Sequence, residues 1–165
     1  MQKDIYPFNV VISDTSSLSN LKNIGAFGIL KDLYKSVSIT PEILKEYKKE
    51  FKENIPEWIN IKEVKNKEKF IELNKKYGAG EAEAIAYAIE NPNTLIIIDD
   101  QKPKTYASNI GLNVIGTIGV IKQAVDKNII KSKEEANDLF DRLKSTGGWI
   151  SDKLLKDIKY PVENG

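Results

Sequence analysis

The sequence predicts an α/β fold, a mostly parallel sheet flanked by helices, and three observations carry that prediction. Thr94-Leu95-Ile96-Ile97-Ile98 is a run of uncharged β-formers. It is too short for a lone helix and reads as a strand buried on both faces. Phe8-Asn9-Val10-Val11-Ile12 is a second such run. Around them, helix-periodic stretches alternate with short apolar strands, the pattern of parallel crossovers. Both long strands end in acids, Ser13-Asp14-Thr15-Ser16 after the first and Asp99-Asp100 after the other. Ligands in open α/β sheets gather outside the carboxyl ends of the strands, so these ends mark a candidate site.

Residues 1–7 read as a loose lead-in and residues 8–13 as the first strand. Asp14-Thr15-Ser16-Ser17 is a turn whose side chains can cap the following helix. Leu18, Leu21 and Ile24 sit at helical spacing, and Gly25 stops that helix. Ala26 to Tyr34 predicts a second helix and Val37-Ser38-Ile39 a short strand. Thr40-Pro41 opens a helix to Phe51, with Thr as N-cap and Pro at the first position. Ile43, Tyr47 and Phe51 form its apolar stripe, with Glu42 and Glu46 beside it.

Pro56 breaks the chain, and the alternation from Trp58 to Val64 predicts a short edge strand. A charged helix follows from about Lys67 to Tyr77, then a hinge at Gly78-Ala79-Gly80, then an alanine-rich helix from Glu81 to Glu90. Asn91-Pro92-Asn93 turns into the central strand. Beyond it come a helix from about Pro103 to Ile110, a strand at Leu112-Asn113-Val114-Ile115, and a helix led in by Gly116-Thr117-Ile118-Gly119. Ser132 and Glu135 form a capping box for a helix to Lys144. Gly147-Gly148 ends it, and Ser151 caps a final short helix.

The 165 residues suit one domain, 1–165, with a core over about 8–128 and C-terminal helices over about 132–160. No repeat or linker divides them. Lysines and acids nearly cancel, for a net charge of +1, so bulk charge does not announce a nucleic-acid binder. No run has transmembrane length and no signal segment is present, which predicts a cytoplasmic protein with no membrane partner. The chain has no cysteine and no histidine. That excludes a thiol nucleophile, an imidazole base and a cysteine- or histidine-bound zinc. Carboxylates, hydroxyls and lysines are left to do any chemistry, and carboxylates suit magnesium or manganese.

The acids at strand ends or on helix faces near apolar residues are Asp14, Glu46, Glu81, Glu83, Asp99 and Asp100. Several must converge to hold a divalent ion. Each also has a plainer role. Asp14 can simply cap the next helix; Asp99 and Asp100 can be a strand-to-turn exit. Glu81 is an ordinary first-turn acid, Glu42 a helix-dipole residue, and Glu83 a solvated face. The lysines from Lys65 to Lys76 read as a solvated face able to track a phosphate backbone.

Several stretches together resemble the PIN-domain family. They are Val10 to Leu18, Thr40 to Tyr47, Gly78-Ala79-Gly80-Glu81-Ala82-Glu83-Ala84-Ile85, Ile97-Ile98-Asp99-Asp100 and Gly111 to Ile121. The chain is similar to a prokaryotic subgroup with a GxGExEA stretch, a late Gly-Thr-x-Gly and a tail like Leu143 to Ile158. The resemblance implies a three-layer α/β/α sandwich and a metal-dependent endoribonuclease using Mg2+ or Mn2+, related to VapC-type type II toxins. It implies RNA as partner, with an antitoxin protein and a homodimer as further expected partners. Carried over by position, the catalytic acids are Asp14, Glu46, Glu81 and Asp100, the metal ligands those four with Asp99, and the substrate-binding residues Ser16 and Lys104. Glu81 stands where most toxins have aspartate, and Lys104 where the subgroup often has arginine. Lysine offers no bidentate fork. These departures motivate the alternative, a degenerate PIN module that binds RNA or a protein without cutting.

Overall fold

A computed structural model of the chain describes residues 8–146. The lead-in, the Gly147-Gly148 break and the helix at Ser151 lie outside the described residues. Five parallel strands form one sheet: β1 (Val10–Ser13), β2 (Val37–Ile39), β3 (Ile59–Ile61), β4 (Thr94–Ile97) and β5 (Asn113–Ile115). Their order is β3-β2-β1-β4-β5. Among the described residues the helices are α1 (Thr15–Asn23), α2 (Gly28–Tyr34), α3 (Pro41–Phe51), α4 (Lys67–Asn74), α5 (Ala79–Glu90), α6 (Gln101–Asn109), α7 (Thr117–Asp126) and α8 (Lys133–Ser145). They flank the sheet as an α/β/α sandwich.

The chain leaves β1 toward β2 and β3, then returns to the other side of β1 as β4. The switch point therefore lies between β1 and β4, where a parallel sheet opens its crevice. The register pairs Val10 with Thr94 and Ser13 with Ile97, and the Asp14 N–H donates to the Ile97 carbonyl at 3.1 Å. Asp14 and Asp99 thus leave the sheet side by side. Val11, Ile12 and Thr94 to Ile98 are buried, as strands covered on both faces require.

Three expectations change in the structure. The predicted hinge at Gly78-Ala79-Gly80 does not exist: Gly78 is the N-cap of α5, and Ala79 and Gly80 are in its first turn. A methyl group on Gly80 would stand 2.6 Å from Glu46 Oε1 and 3.0 Å from Ile43 Cγ1. The glycine serves close packing of α5 on α3, not bending. The second helix starts at Gly28 and not at Ala26, because Ala26 closes the turn that follows α1, its N–H donating to the Leu21 carbonyl at 2.8 Å. The third change is Glu83, expected on a solvated face but only 7% exposed.

Glu83 is held inside because it caps a neighbouring helix. Thr40 occupies the N-cap of α3, yet its side chain makes no capping bond and its buried Oγ1 has no partner. Pro41 has no N–H to offer. The next free donor, Glu42 N–H, is taken by Glu83 Oε1 at 2.9 Å. An acid of α5 thus does for α3 what its own threonine does not. Glu83→Ala is expected to lower stability by about 2 kcal/mol, with Glu83→Gln recovering much of that through its remaining acceptor. Urea denaturation checks this; an unchanged midpoint in Glu83→Ala would show that α3 needs no cap from α5.

The far end of α3 is clasped by Lys22. Its Nζ lies 4.8, 5.9 and 5.1 Å from the ring centroids of Phe27, Tyr47 and Phe51, and 2.9 Å from Glu53 Oε2. The Tyr47 hydroxyl donates to the same carboxylate oxygen at 2.8 Å. Both partners hold Glu53 below the usual carboxylate range, Lys22 foremost. Cap and clasp together hold both ends of the helix that carries Glu46.

Candidate active site

Asp14 is the buried centre of the site, 1% exposed at the end of β1. Its Oδ1 accepts the Ser17 N–H at 2.9 Å and caps α1, so the plain capping role is real. Its Oδ2 is buried with no hydrogen-bond partner. Burial pushes the Asp14 pKa up to about 7, assisted by the charges of Asp99 and Glu81 and opposed by Ser17. A capping aspartate needs one oxygen; the second is left facing other acids.

Glu81 enters from the first turn of α5, where its Oε1 accepts the Gly78 N–H at 3.3 Å. Its carboxyl is raised above the usual range by burial first, then by Asp100, with Glu46 adding to the effect. Asp100 is the exposed N-cap of α6. Glu46 is half-buried on α3, and the Thr15 hydroxyl donates to its Oε1. Asp14, Glu46 and Asp100, each from its own element, thus come within electrostatic range of Glu81 on α5.

Asp99 has a different environment from Asp100. Its Oδ2 accepts from Ser17 Oγ at 3.1 Å, Asn20 Nδ2 at 2.8 Å and Thr117 Oγ1 at 2.5 Å, and its Oδ1 from Thr117 N–H at 2.7 Å. Four donors tie the end of β4 to α1 and to the start of α7. A methyl group on Gly116 would stand 2.9 Å from Asp99 Oδ1 and 3.0 Å from Lys104 Nζ. Lys104 therefore lies on the Asp99 side of the site.

Ser16 is exposed and no hydrogen bond of its side chain is seen among the described residues. The hydroxyls on either side of it do the bonding, Thr15 to Glu46 and Ser17 to Asp99. The Glu42 side chain pairs with Lys45 at 3.4 Å. Thr15, Ser17, Asn20 and Thr117 were not singled out by sequence. Ser17 and Asn20 are three apart on a helix that starts beside Asp14, so helical spacing alone places them on one face.

Among the described residues no group of three or more acids is drawn close enough to grip one ion as placed. The donor set itself fits magnesium or manganese: carboxylate oxygens are hard donors, and Asp14 Oδ2 is buried with no other partner. A family model described as a PIN domain matches residues 10–163. The chain belongs to the PIN-domain family. Comparisons with curated proteins and with solved structures returned no match. PIN domains have a nuclease-type fold, are generally hydrolases acting on nucleic acids, and typically use divalent metal ions. No helix among the described residues of this PIN domain is long and apolar enough to cross a membrane.

Proposed function

We propose that this chain is a single-domain, cytoplasmic endoribonuclease that hydrolyses RNA phosphodiesters with Mg2+ or Mn2+. The observation that carries the reading is the buried, unpartnered Asp14 Oδ2 among carboxylates at the β1–β4 switch point. An unpaired oxygen lone pair in a buried site is costly unless something positive meets it. Asp14, Glu46, Glu81 and Asp100 would hold the ion, with Asp99 holding the α1 and α7 termini around them and standing as a further ligand. The ion, when bound, supplies Lewis-acid stabilisation of the phosphodiester and activation of water.

The protein's own residues prepare that chemistry. Thr15 orients the Glu46 carboxylate, and Ser17 fixes Asp14 in its cap so that Oδ2 stays turned away from the helix. Lys104 and Ser16, at the rim, contact the phosphate backbone. With no histidine in the chain, proton handling falls to carboxylates.

Labelled single-stranded RNA incubated with manganese, magnesium or chelator tests the reading. Cleavage is expected only with metal, and is expected to vanish in Asp14→Asn/Asp100→Asn. Cleavage that survives in the double variant would misplace the site. Binding without cleavage across several RNAs would instead establish a PIN module that no longer cuts, the outcome that Glu81 and Lys104 motivate. If the enzyme serves as a type II toxin, expression alone is expected to arrest growth, and an antitoxin to relieve the arrest.

A further inference from the structure

A second feature lies along the same seam as the Glu81–Asp100 contact. Tyr77, just before the N-cap of α5, meets Tyr106 on α6 with ring centroids 5.7 Å apart and planes tilted by 43°. Both rings are half-buried. Neither phenol has a hydrogen-bond partner among the described residues. Tyr34 and Tyr47, by contrast, donate to Gln123 and Glu53. Tyr77 and Tyr106 pack against the edge of the core and stay partly exposed.

Lysines flank the pair in sequence, on the same seam as Glu81 and Asp100. Lys75 and Lys76 precede Tyr77 in the chain, and Lys102 lies four residues before Tyr106 on α6, on the same helix face. All three are exposed, and none forms an ion pair among the described residues. Tyr106 is six residues beyond Asp100, about 9 Å along the helix. That is a short span along a bound single strand. Aromatic faces interleaved with unpaired lysines are how proteins hold single strands: every base has a π-face, and the cations follow the backbone.

We propose that Tyr77 and Tyr106 form a stacking subsite for an unpaired nucleobase, close along the strand to the bond at the acidic centre. The subsite rests on the reading that nucleic acid is the substrate. It makes this PIN domain selective for single strands, because a paired base cannot leave its stack to reach the rings without cost.

The test is binding of the full chain in chelator, where no cleavage interferes. Fluorescence anisotropy would follow a labelled RNA 12-mer, the same sequence as DNA, the same RNA in duplex, and RNAs with one abasic sugar scanned along the strand. Tyr77→Ala and Tyr106→Ala are expected to weaken single-strand binding about tenfold to a hundredfold and leave duplex binding unchanged. Tyr77→Phe and Tyr106→Phe are expected to bind like wild type, since the hydroxyls are unused. One abasic position is expected to weaken wild-type binding and to cost nothing further in Tyr106→Ala. The wild-type half of that arm perturbs the RNA alone, so it stands even if an alanine variant folds poorly. Equal loss with DNA is expected, since stacking reads no 2′-hydroxyl.

Alanine variants that bind single strands like wild type, or an abasic scan with no sensitive position, would overturn the subsite. Loss of single-strand and duplex binding together would do so too, since it marks a general electrostatic effect. Metal-dependent cleavage with tyrosine-independent binding overturns the subsite and leaves the ribonuclease reading standing. Tyrosine-dependent, abasic-sensitive binding by a protein that never cleaves does the reverse.

Discussion

Asp14→Asn is expected to make the metal-free protein more stable at pH 8 while removing its activity. Asparagine caps a helix as well as aspartate does, so the bond from Ser17 N–H survives. The difference is the charge. Burial moves the Asp14 pKa from 3.8 to about 7, so the folded state binds this proton more tightly than the unfolded chain. Below pH 3.8 both states are protonated and the group has no effect on the pH dependence. Between pH 3.8 and about 7 the folded state keeps a proton that the unfolded chain has lost, so stability falls across that range and the loss is complete above it. Glu81, raised in the same direction, steepens that fall. Asparagine has no such loss.

At about 1.4 kcal/mol per pKa unit, the variant gains on the order of 4 kcal/mol at pH 8 and almost nothing near pH 4. Urea midpoints of both proteins in chelator at pH 4, 6 and 8 check this. A wild type as stable as the variant at pH 8 would mean that Asp14 ionises freely and that the site stores no strain. Added manganese is expected to raise the wild-type midpoint at pH 8 and not that of Asp14→Asn, because a ligand that binds only the folded state stabilises it. Activity with metal is expected to fall about a thousandfold or more, since losing about 4 kcal/mol of transition-state stabilisation has that effect. Stability and activity moving in opposite directions is the signature of a group placed for function.

How far sequence reasoning reached follows from which signals are local. The strands at Val37–Ile39 and Ile59–Ile61, and the N-cap positions of α1, α3 and α8, depend on residues within one turn of each other. All of these were legible. Asp14 and Asp99 at one sheet edge were legible too, because runs of β-formers state where buried strands end. What was not legible depended on partners distant in sequence. Glu83 looks like a surface acid until α3 arrives to give it a donor 41 residues away. The Gly-Ala-Gly stretch looks like a hinge until Glu46 is found pressed against Gly80. Asp99 and Asp100 are adjacent and chemically alike, so sequence could not divide them. The fold does, engaging Asp99 with Ser17, Asn20 and Thr117 and leaving Asp100 exposed beside Glu81.

Gly80→Ala is expected to separate the same two properties by another route. The added methyl would lie 2.6 Å from Glu46 Oε1 and 3.0 Å from Ile43 Cγ1. The first contact is the tip of a flexible side chain, which can swing aside; the second requires Ile43 to yield a few tenths of an ångström. Alanine also favours the helix by up to about 1 kcal/mol over glycine, which offsets the crowding. The urea midpoint is therefore expected to stay within about 1 kcal/mol of wild type. The Glu46 carboxylate, however, is driven off its hydrogen bond from Thr15 and away from the other acids. A displacement of about 1 Å in a catalytic group can cost about a hundredfold in rate. Metal affinity by calorimetry is expected to fall alongside cleavage, which separates a displaced ligand from a lost substrate contact. If Gly80→Ala binds manganese and cuts RNA like wild type, Glu46 is not a ligand. The small residue in the first turn of α5 would then serve packing alone.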